Sequence, residues 1–294
     1  MKLLVDLKSI QNIDKYNADG YIASSYDYSC HNDKCFTFEE LKQISEYAAK
    51  NNKTFVVNID RIIEEDELSL VKEYIDKLLE LKIDYFIYGD FSILRYFQSK
   101  NLTNKLIYDP KTMITNYLEA SFHNNFKSLV AINNELTLGE IKNVIKANNT
   151  VMEVYGFHQM FYSRRQLLSN YSKFKNEDRD LENKKLVIFE EKRDQDEYPI
   201  YESKNGTFIY TSFIYCLFKE LSELNELKYI RINSSFLEEV KVIKIVDLYS
   251  ELLKDFGKAD ELYKELELVD KRIDSGFLYK KSVVLKEGVK WLSY

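Results

Sequence analysis

The feature that most constrains this chain is its rhythm: short apolar runs alternate with longer amphipathic ones from the first residue to about residue 157. KLLVDL (2–7), DGYIASS (19–25), TFVVNID (54–60), DYFIYGD (84–90), KLIYD (105–109), SLVAIN (128–133) and VMEVYGF (151–157) read as strands. The first helical stretch, TFEELKQISEYAAKNN (37–52), opens with Thr37 and Glu40, a capping box in which each side chain satisfies a free amide. Leu41, Ile44 and Ala48 then share one face. A stripe of Leu68, Val71, Ile75, Leu78 and Leu79, then helices near 91–99, 112–124 and 137–147, fill the later gaps. Such alternation implies parallel strands joined by helical crossovers. KYIRIN (228–233), with a long helix at about 236–256 behind it, supplies an eighth strand. The expected fold class is therefore α/β, a (β/α)8 TIM-barrel-like single domain over 1–294. A doubly wound open sheet is the alternative. Its dinucleotide-binding form is weakened because no glycine-rich loop follows the first strand.

Residues 158–227 break the rhythm and read as an inserted, β-containing excursion between strands seven and eight, or a small subdomain. KLVIFEE (185–191), EYPIYES (197–203) and GTFIYTS (206–212) read as strands, with SKNG (203–206) a turn and NEDRDLENKK (176–185) solvent-exposed. Three cysteines cannot make a disulfide framework. The start reaches Asp6 before any long apolar run, so no signal peptide is expected. No run of about 18 apolar residues predicts a spanning helix. A cytoplasmic location without a membrane partner is expected. The net charge of −6 argues against nucleic-acid binding by bulk electrostatics and leaves a local basic site open.

In barrels of this type the working face lies at the C-terminal ends of the strands. The polar residues there are Asp6, Asn58, Asp60, Asp90, Asp109, Asn133, Asn134, Glu135, Glu153, His158 and Asn233. Helix capping and turn formation is their plainer role. Glu153 with His158 is the best acid–base pair, since a carboxylate can orient an imidazole and raise its basicity. Ser163 as a nucleophile needs a base within hydrogen-bond reach, and capping or packing is its plainer role. Arg164 and Arg165, beside Tyr155, Phe157, Phe161 and Tyr162, suit either a stacking, anion-binding pocket for an unpaired RNA base or an interface patch. CHNDKC (30–35) brings Cys30, His31 and Cys35 together, but the second ligand cluster of a zinc site is missing and no metal is expected. Cys216 reads as a buried apolar residue.

The segment MEVYGFHQMFYSRRQLLSNY (152–171) resembles the signature of peptidase family U32, the collagenase-like proteases. The positions that carry the resemblance are Glu153, Tyr155, Gly156, Tyr162, Ser163, Arg165, Leu168 and Ser169. NADGYIASSYDYSC (17–30), ELTLGEI (135–141), residues 190–212 and DSGFL (274–278) resemble further family elements in order. The resemblance implies a barrel-like α/β fold. It also implies one of two functions. The first is a collagenase-like peptidase with Glu153, His158 and Ser163 catalytic and Tyr155, Tyr162, Arg164, Arg165 and Glu135 binding substrate. Neither the HExxH zinc pattern nor a GxSxG elbow accompanies them. The second is a non-cluster subunit, or RNA-binding partner, of a cluster-bearing paralogue in tRNA uridine hydroxylation. Cysteine-bearing members hold an iron–sulfur cluster; here Gln159 and Gln166 stand where their first two cysteines fall, and an amide cannot replace a thiolate. No cofactor is therefore expected. In RINSS (231–235), Asn233 and Ser235 replace the family's glutamate and arginine, and Asn134 replaces an arginine beside Glu135. The chain resembles a short, cysteine-poor branch. Its expected partners are a longer paralogue or a second copy of itself, with tRNA or peptide as substrate.

Overall fold

The structure is a computed structural model describing residues 1–29, 33–177, 179–191 and 193–280. Seven strands appear in turn, β1 (Lys2–Asp6), β2 (Gly20–Ser24), β3 (Thr54–Asn58), β4 (Tyr85–Tyr88), β5 (Leu106–Tyr108), β6 (Leu129–Ala131) and β7 (Thr150–Gly156). Between β2 and β7 run helices α1 (Phe38–Lys50), α2 (Leu68–Leu79), α3 (Phe91–Ser99), α4 (Tyr117–Phe122) and α5 (Leu138–Val144). The excursion carries β8 (Gln159–Ser163), α6 (Leu167–Phe174), β9 (Lys185–Glu190), β10 (Arg193–Ser203), β11 (Gly206–Tyr210) and β12 (Ile214–Cys216). The chain then returns through β13 (Tyr229–Ile232), α7 (Glu239–Lys254), α8 (Ala259–Val269) and β14 (Ile273–Asp274). Strands β1 to β7 are each parallel to the next, and β13 pairs with both β1 and β7. The result is a closed eight-stranded parallel barrel ringed by helices.

Alternation along each strand divides the apolar side chains between two cores. Leu4, Ile22, Val56, Ile87, Ile107 and Val151 fill the barrel interior. A larger core lies between the strands and the helices, with Phe55, Phe86, Met152 and Val154 from the strands and Leu41, Ile44, Ile75 and Phe97 from the helices. The capping box at Thr37 forms: its hydroxyl accepts from the Glu40 amide at 3.3 Å, and its own amide donates to Glu40 at 2.8 Å. Thr137 and Glu140 cap α5 in the same way.

Helix α4 is shorter than its sequence suggests, starting at Tyr117 rather than near 112. Asn116 stops it, because its side chain accepts from the Glu119 amide at 3.0 Å. Upstream, the Ile114 carbonyl accepts from the Asn133 amide instead of from a helical one. The loop so freed carries Lys111 in the left-handed region, φ 66°. A lysine there is strained, and such strain concentrates at functional sites.

In the excursion, β8, β11, β10 and β9 form a separate antiparallel sheet in that order. The SKNG turn joins β10 to β11, with Ser203 opposite Gly206. Gly206 has φ 129°, and a Cβ there would stand 2.1 Å from the Ser163 carbonyl, so only glycine fits. Helix α6 is fastened to this sheet by the fully buried Glu202. That carboxylate accepts from the Leu168 amide at 2.7 Å, the Ser169 amide at 3.1 Å and the Thr207 hydroxyl at 3.0 Å. It thus answers two of the orphan amides of the first turn.

The small sheet leans on the barrel's β2 and β13 loops. Asn205 donates to the Ser29 carbonyl at 3.2 Å, and Lys185 reaches Asp33 at 2.5 Å. Tyr210 meets the Phe236 ring at 4.6 Å. Burial works against the charge on Asp33, but Lys8 and Lys185 more than offset it and hold the carboxyl below its ordinary range. Strand β12 leaves this sheet and pairs antiparallel with the end of β7. Among the described residues no helix is long and apolar enough to cross a membrane.

Candidate functional site

The barrel interior ends in a polar layer at the C-terminal ends of its strands. The apolar plug forms the floor of a pocket of about 80 Å³, with Leu4, Ile22, Ile107 and Val151 beneath and Asp109, Lys111, Glu153, His158, Arg231 and Asn233 around it. Arg231 sits in the middle of β13 with its guanidinium turned inward. It grips Asp6 in a two-pronged pair, Nε to Oδ2 at 2.8 Å and Nη2 to Oδ1 at 3.0 Å. Its remaining prong reaches across the barrel to Asp109 at 3.3 Å. Lys111 Nζ donates to the same Asp109 oxygen at 2.6 Å. Planar, bidentate geometry of this kind is particular to arginine. Burial opposes the charge on Arg231, but Asp6, Glu153 and Asp109 outweigh it and keep the guanidinium charged. Burial likewise opposes the Lys111 ammonium, and Asp109 overrides it.

Glu153 and His158 meet at the other side of the pocket, Oε1 to Nε2 at 3.2 Å. Asn233 donates to the second Glu153 oxygen at 3.2 Å. The approach depends on Gly156, φ 145°, where a Cβ would lie 2.6 Å from the Asn233 Cβ. Burial alone would raise the Glu153 carboxyl, yet His158, Arg231 and Lys111 together hold it below its ordinary range.

Asn134 braces the pair. Its amide donates to the Glu153 carbonyl at 2.7 Å and stands 2.7 Å from His158 Nε2. Glu153 Oε1 is buried and faces the His158 ring. The ring is held from behind by Tyr215, centroid to centroid 4.5 Å, and the His158 amide donates to the Thr211 hydroxyl. A carboxylate and an imidazole at this distance are placed as an acid–base pair.

The remaining sequence candidates divide by location. Glu135 is exposed at the lip of the pocket. Tyr155 is turned away from the pocket, fully buried against Tyr249 of α7 with ring centroids 6.1 Å apart. Tyr162 lies flat on Phe208 at 4.7 Å inside the small sheet. The Ser163 hydroxyl accepts from the Arg165 amide at 3.2 Å. Five extended residues separate it from His158, a span of roughly 16 Å and beyond hydrogen-bond reach. Arg164 and Arg165 are exposed on the small sheet, and Arg164 pairs with Glu64. Asp90 serves as the helix cap, accepting from the Ser92 amide at 2.8 Å. Asn58 and Asp60 bond to each other at 3.0 Å.

Two residues of the site, Arg231 and Lys111, were not among the sequence candidates. The signal for Arg231 was present: a charge flanked by isoleucines within an apolar strand either faces solvent or is paired inside. Lys111 lay too close to an expected helix to be noticed.

The donor set does not fit a four-thiolate cluster. Gln159 lines the pocket and Gln166 precedes α6, and neither supplies a thiolate. Burial pushes the Cys35 and Cys216 thiols up to about 12, so both stay protonated. Cys30 and His31, the other part of the CHNDKC motif, lie outside the described residues. Among the described residues no group of three or more metal-ligating side chains converges.

The model of Peptidase family U32 matches residues 6–287. A tRNA hydroxylation protein P2 of Bacillus subtilis (strain 168) is 27% identical over 271 residues, covering 84% of this chain and 86% of that protein. An uncharacterized protease of Methanocaldococcus jannaschii is 28% identical over 156 residues, 52% of this chain and 38% of its own length. The solved U32 peptidase Mk0906 superposes with a TM-score of 0.51 at 11% identity, covering 80% of this chain and 93% of that one. At that identity the likeness shows the shared fold.

Proposed function

We propose a role in tRNA hydroxylation for this chain, which belongs to peptidase family U32, as a subunit that carries no iron–sulfur cluster of its own. The observation that carries the reading is the pocket itself: a small, charge-lined chamber with an acid–base pair and, among the described residues that line it, no serine or cysteine. Such a chamber suits a small polar molecule or an extruded base better than a peptide chain. The family relative named for tRNA hydroxylation, similar along most of both chains, supports the same direction. Glu153 and His158 move the proton, and Arg231, fixed by Asp6 and Asp109, presents positive charge beside them. A cluster-bearing paralogue supplies the redox chemistry. Met113 at the pocket and Tyr117, Leu118 and Phe122 of α4 are exposed, large apolar side chains of the kind a protein partner covers.

A peptidase reading keeps one specific support. The unbonded oxygen of Glu153 faces His158 and could activate a water without a protein nucleophile. Nucleoside mass spectrometry of total tRNA from a strain lacking the gene, beside its parent, separates the two. Loss of hydroxylated uridine, restored by the wild-type gene, supports the tRNA role. An unchanged profile in a parent that contains the modification removes it and leaves the peptidase reading.

A further inference from the structure

We infer that the outer surface of β8 and α6 is a docking site for single-stranded RNA. This deepens the tRNA reading and rests on it for the choice of RNA in cells; the surface itself rests on three independent features. The first is charge. Residues 159–176 hold Arg164, Arg165, Lys173 and Lys175 and not one Asp or Glu, in a chain whose net charge is −6. Arg164 is taken by Glu64, but among the described residues Arg165, Lys173 and Lys175 make no ion pair. Unneutralised cations on an acidic protein form the local footprint a phosphate backbone needs.

The second feature is the presence of bare aromatic faces among those cations. Phe174 is 80% exposed, Tyr171 60% and Phe161 42%. Tyr171 and Phe174 on α6 and Lys175 at its C-terminal cap lie three and four residues apart, so they share one face, and the Lys175 ammonium sits 5.7 Å from the Tyr171 ring centroid. Aromatic rings interleaved with cations are the stacking platforms of single-strand binders. A protein–protein contact would be expected to exclude the lysines, which are depleted at such interfaces.

The third is position. The platform is anchored, since the inner side of α6 is held by the buried Glu202. It is also continuous with the pocket: β8 begins at Gln159, a pocket-lining residue, and runs out toward Arg165. The five extended residues of β8 cover roughly 16 Å, ending just before Arg164 and Arg165. A strand stacked on α6 can therefore lead one of its bases toward Glu153 and His158.

The test is fluorescence anisotropy with the intact protein and three labelled probes: an oligouridine, an RNA hairpin and a blunt RNA duplex. The oligouridine and the hairpin loop should bind more tightly than the duplex. Phe174→Ala should weaken binding about tenfold, the loss of one stacked base. K173E with K175E should weaken it further and lower the salt slope by about 1.4, two phosphate contacts at roughly 0.7 each. Tyr171→Ala serves as the second aromatic variant, and circular dichroism checks that each remains folded. Equal affinity for duplex and single strand, or full binding by the folded variants, overturns the inference. So does an intact protein that binds no RNA at low salt, or variants whose only defect is loss of self-association. The nucleoside profile of a Phe174→Ala strain separates this from the tRNA reading. Weakened RNA binding with normal hydroxylation leaves the surface standing and removes the tRNA role. Lost hydroxylation with normal RNA binding removes the surface.

Discussion

The barrel mouth and the β8–α6 surface both gather charged and aromatic residues, but they do so under opposite physical conditions. At the mouth, Arg231 is answered by Asp6 and Asp109, Lys111 by Asp109, and Glu153 by His158 and Asn233. Each charge is buried and would be costly alone. On β8–α6 Arg165, Lys173 and Lys175 stand in water, and the rings beside them are largely exposed. A buried network resists change because its members depend on one another. An exposed platform can lose any residue without cost to the fold. Substitutions should therefore separate stability from function in one region and couple them in the other.

The largest effect should come from Arg231→Ala. It leaves Asp6 and part of Asp109 as uncompensated buried charges, which costs about 3–5 kcal/mol. Urea denaturation measures it, and a loss under about 1 kcal/mol would mean that the mouth is wetter and more forgiving than the geometry implies. Glu202→Ala comes next. Removing a buried acceptor from two amides and two hydroxyls should cost about 1–3 kcal/mol, with hydrogen exchange of α6 speeding up more than that of the barrel strands. Uniform exchange would show that α6 is not an anchored platform.

His123 lies in neither region and supplies a pH control. Its ring stacks on Tyr108 at 5.0 Å among Phe122 and Phe126, and burial holds its pKa below the ordinary 6.5. The folded state keeps this group neutral, so its contribution is present above about 6.5 and fades as pH falls from there toward the folded pKa. The slope cannot exceed about 1.4 kcal/mol per pH unit for one proton. His123→Gln should flatten that part of the stability curve, and an unaltered slope would remove the assignment. Smallest of all, Arg165→Ala should change stability by less than about 0.5 kcal/mol while weakening RNA binding. A clear drop in the melting temperature would show that this arginine is structural.

The same contrast explains what could be read from the sequence. The eight barrel strands were legible because each is a short apolar run fixed by packing on both faces, a signal that survives without knowledge of neighbours. Glu153, His158, Asp6 and Asp109 were legible as strand-end polar residues because a barrel points all such ends at one opening. Arg231 was not, since its partners lie 225 and 122 residues away and only barrel closure brings them together. Lys111 depends on a left-handed turn that an apparent helix concealed. Strand β8 went unread because MFYS is held by pairing with β11 rather than by an alternating pattern of its own. The aromatic–arginine pocket envisaged around Tyr155, Phe157 and Tyr162 is dispersed by the fold. A register shift between Glu153 and Tyr155 in the β7–β13 pairing turns Tyr155 outward, Phe157 is buried in the outer core, and Tyr162 stacks on Phe208, so that Phe161, Tyr171 and Phe174 remain at the surface.

The central claim is that the Glu153–His158 pocket works on behalf of tRNA hydroxylation. It is tested most directly by complementing the deletion strain with Glu153→Gln and measuring hydroxylated uridine in its tRNA by mass spectrometry, alongside the melting temperature of the purified variant. The account predicts a folded protein, since the amide keeps the size and one acceptor of the carboxylate, with the modification absent. Full restoration of hydroxylated uridine by the folded Glu153→Gln protein would contradict it.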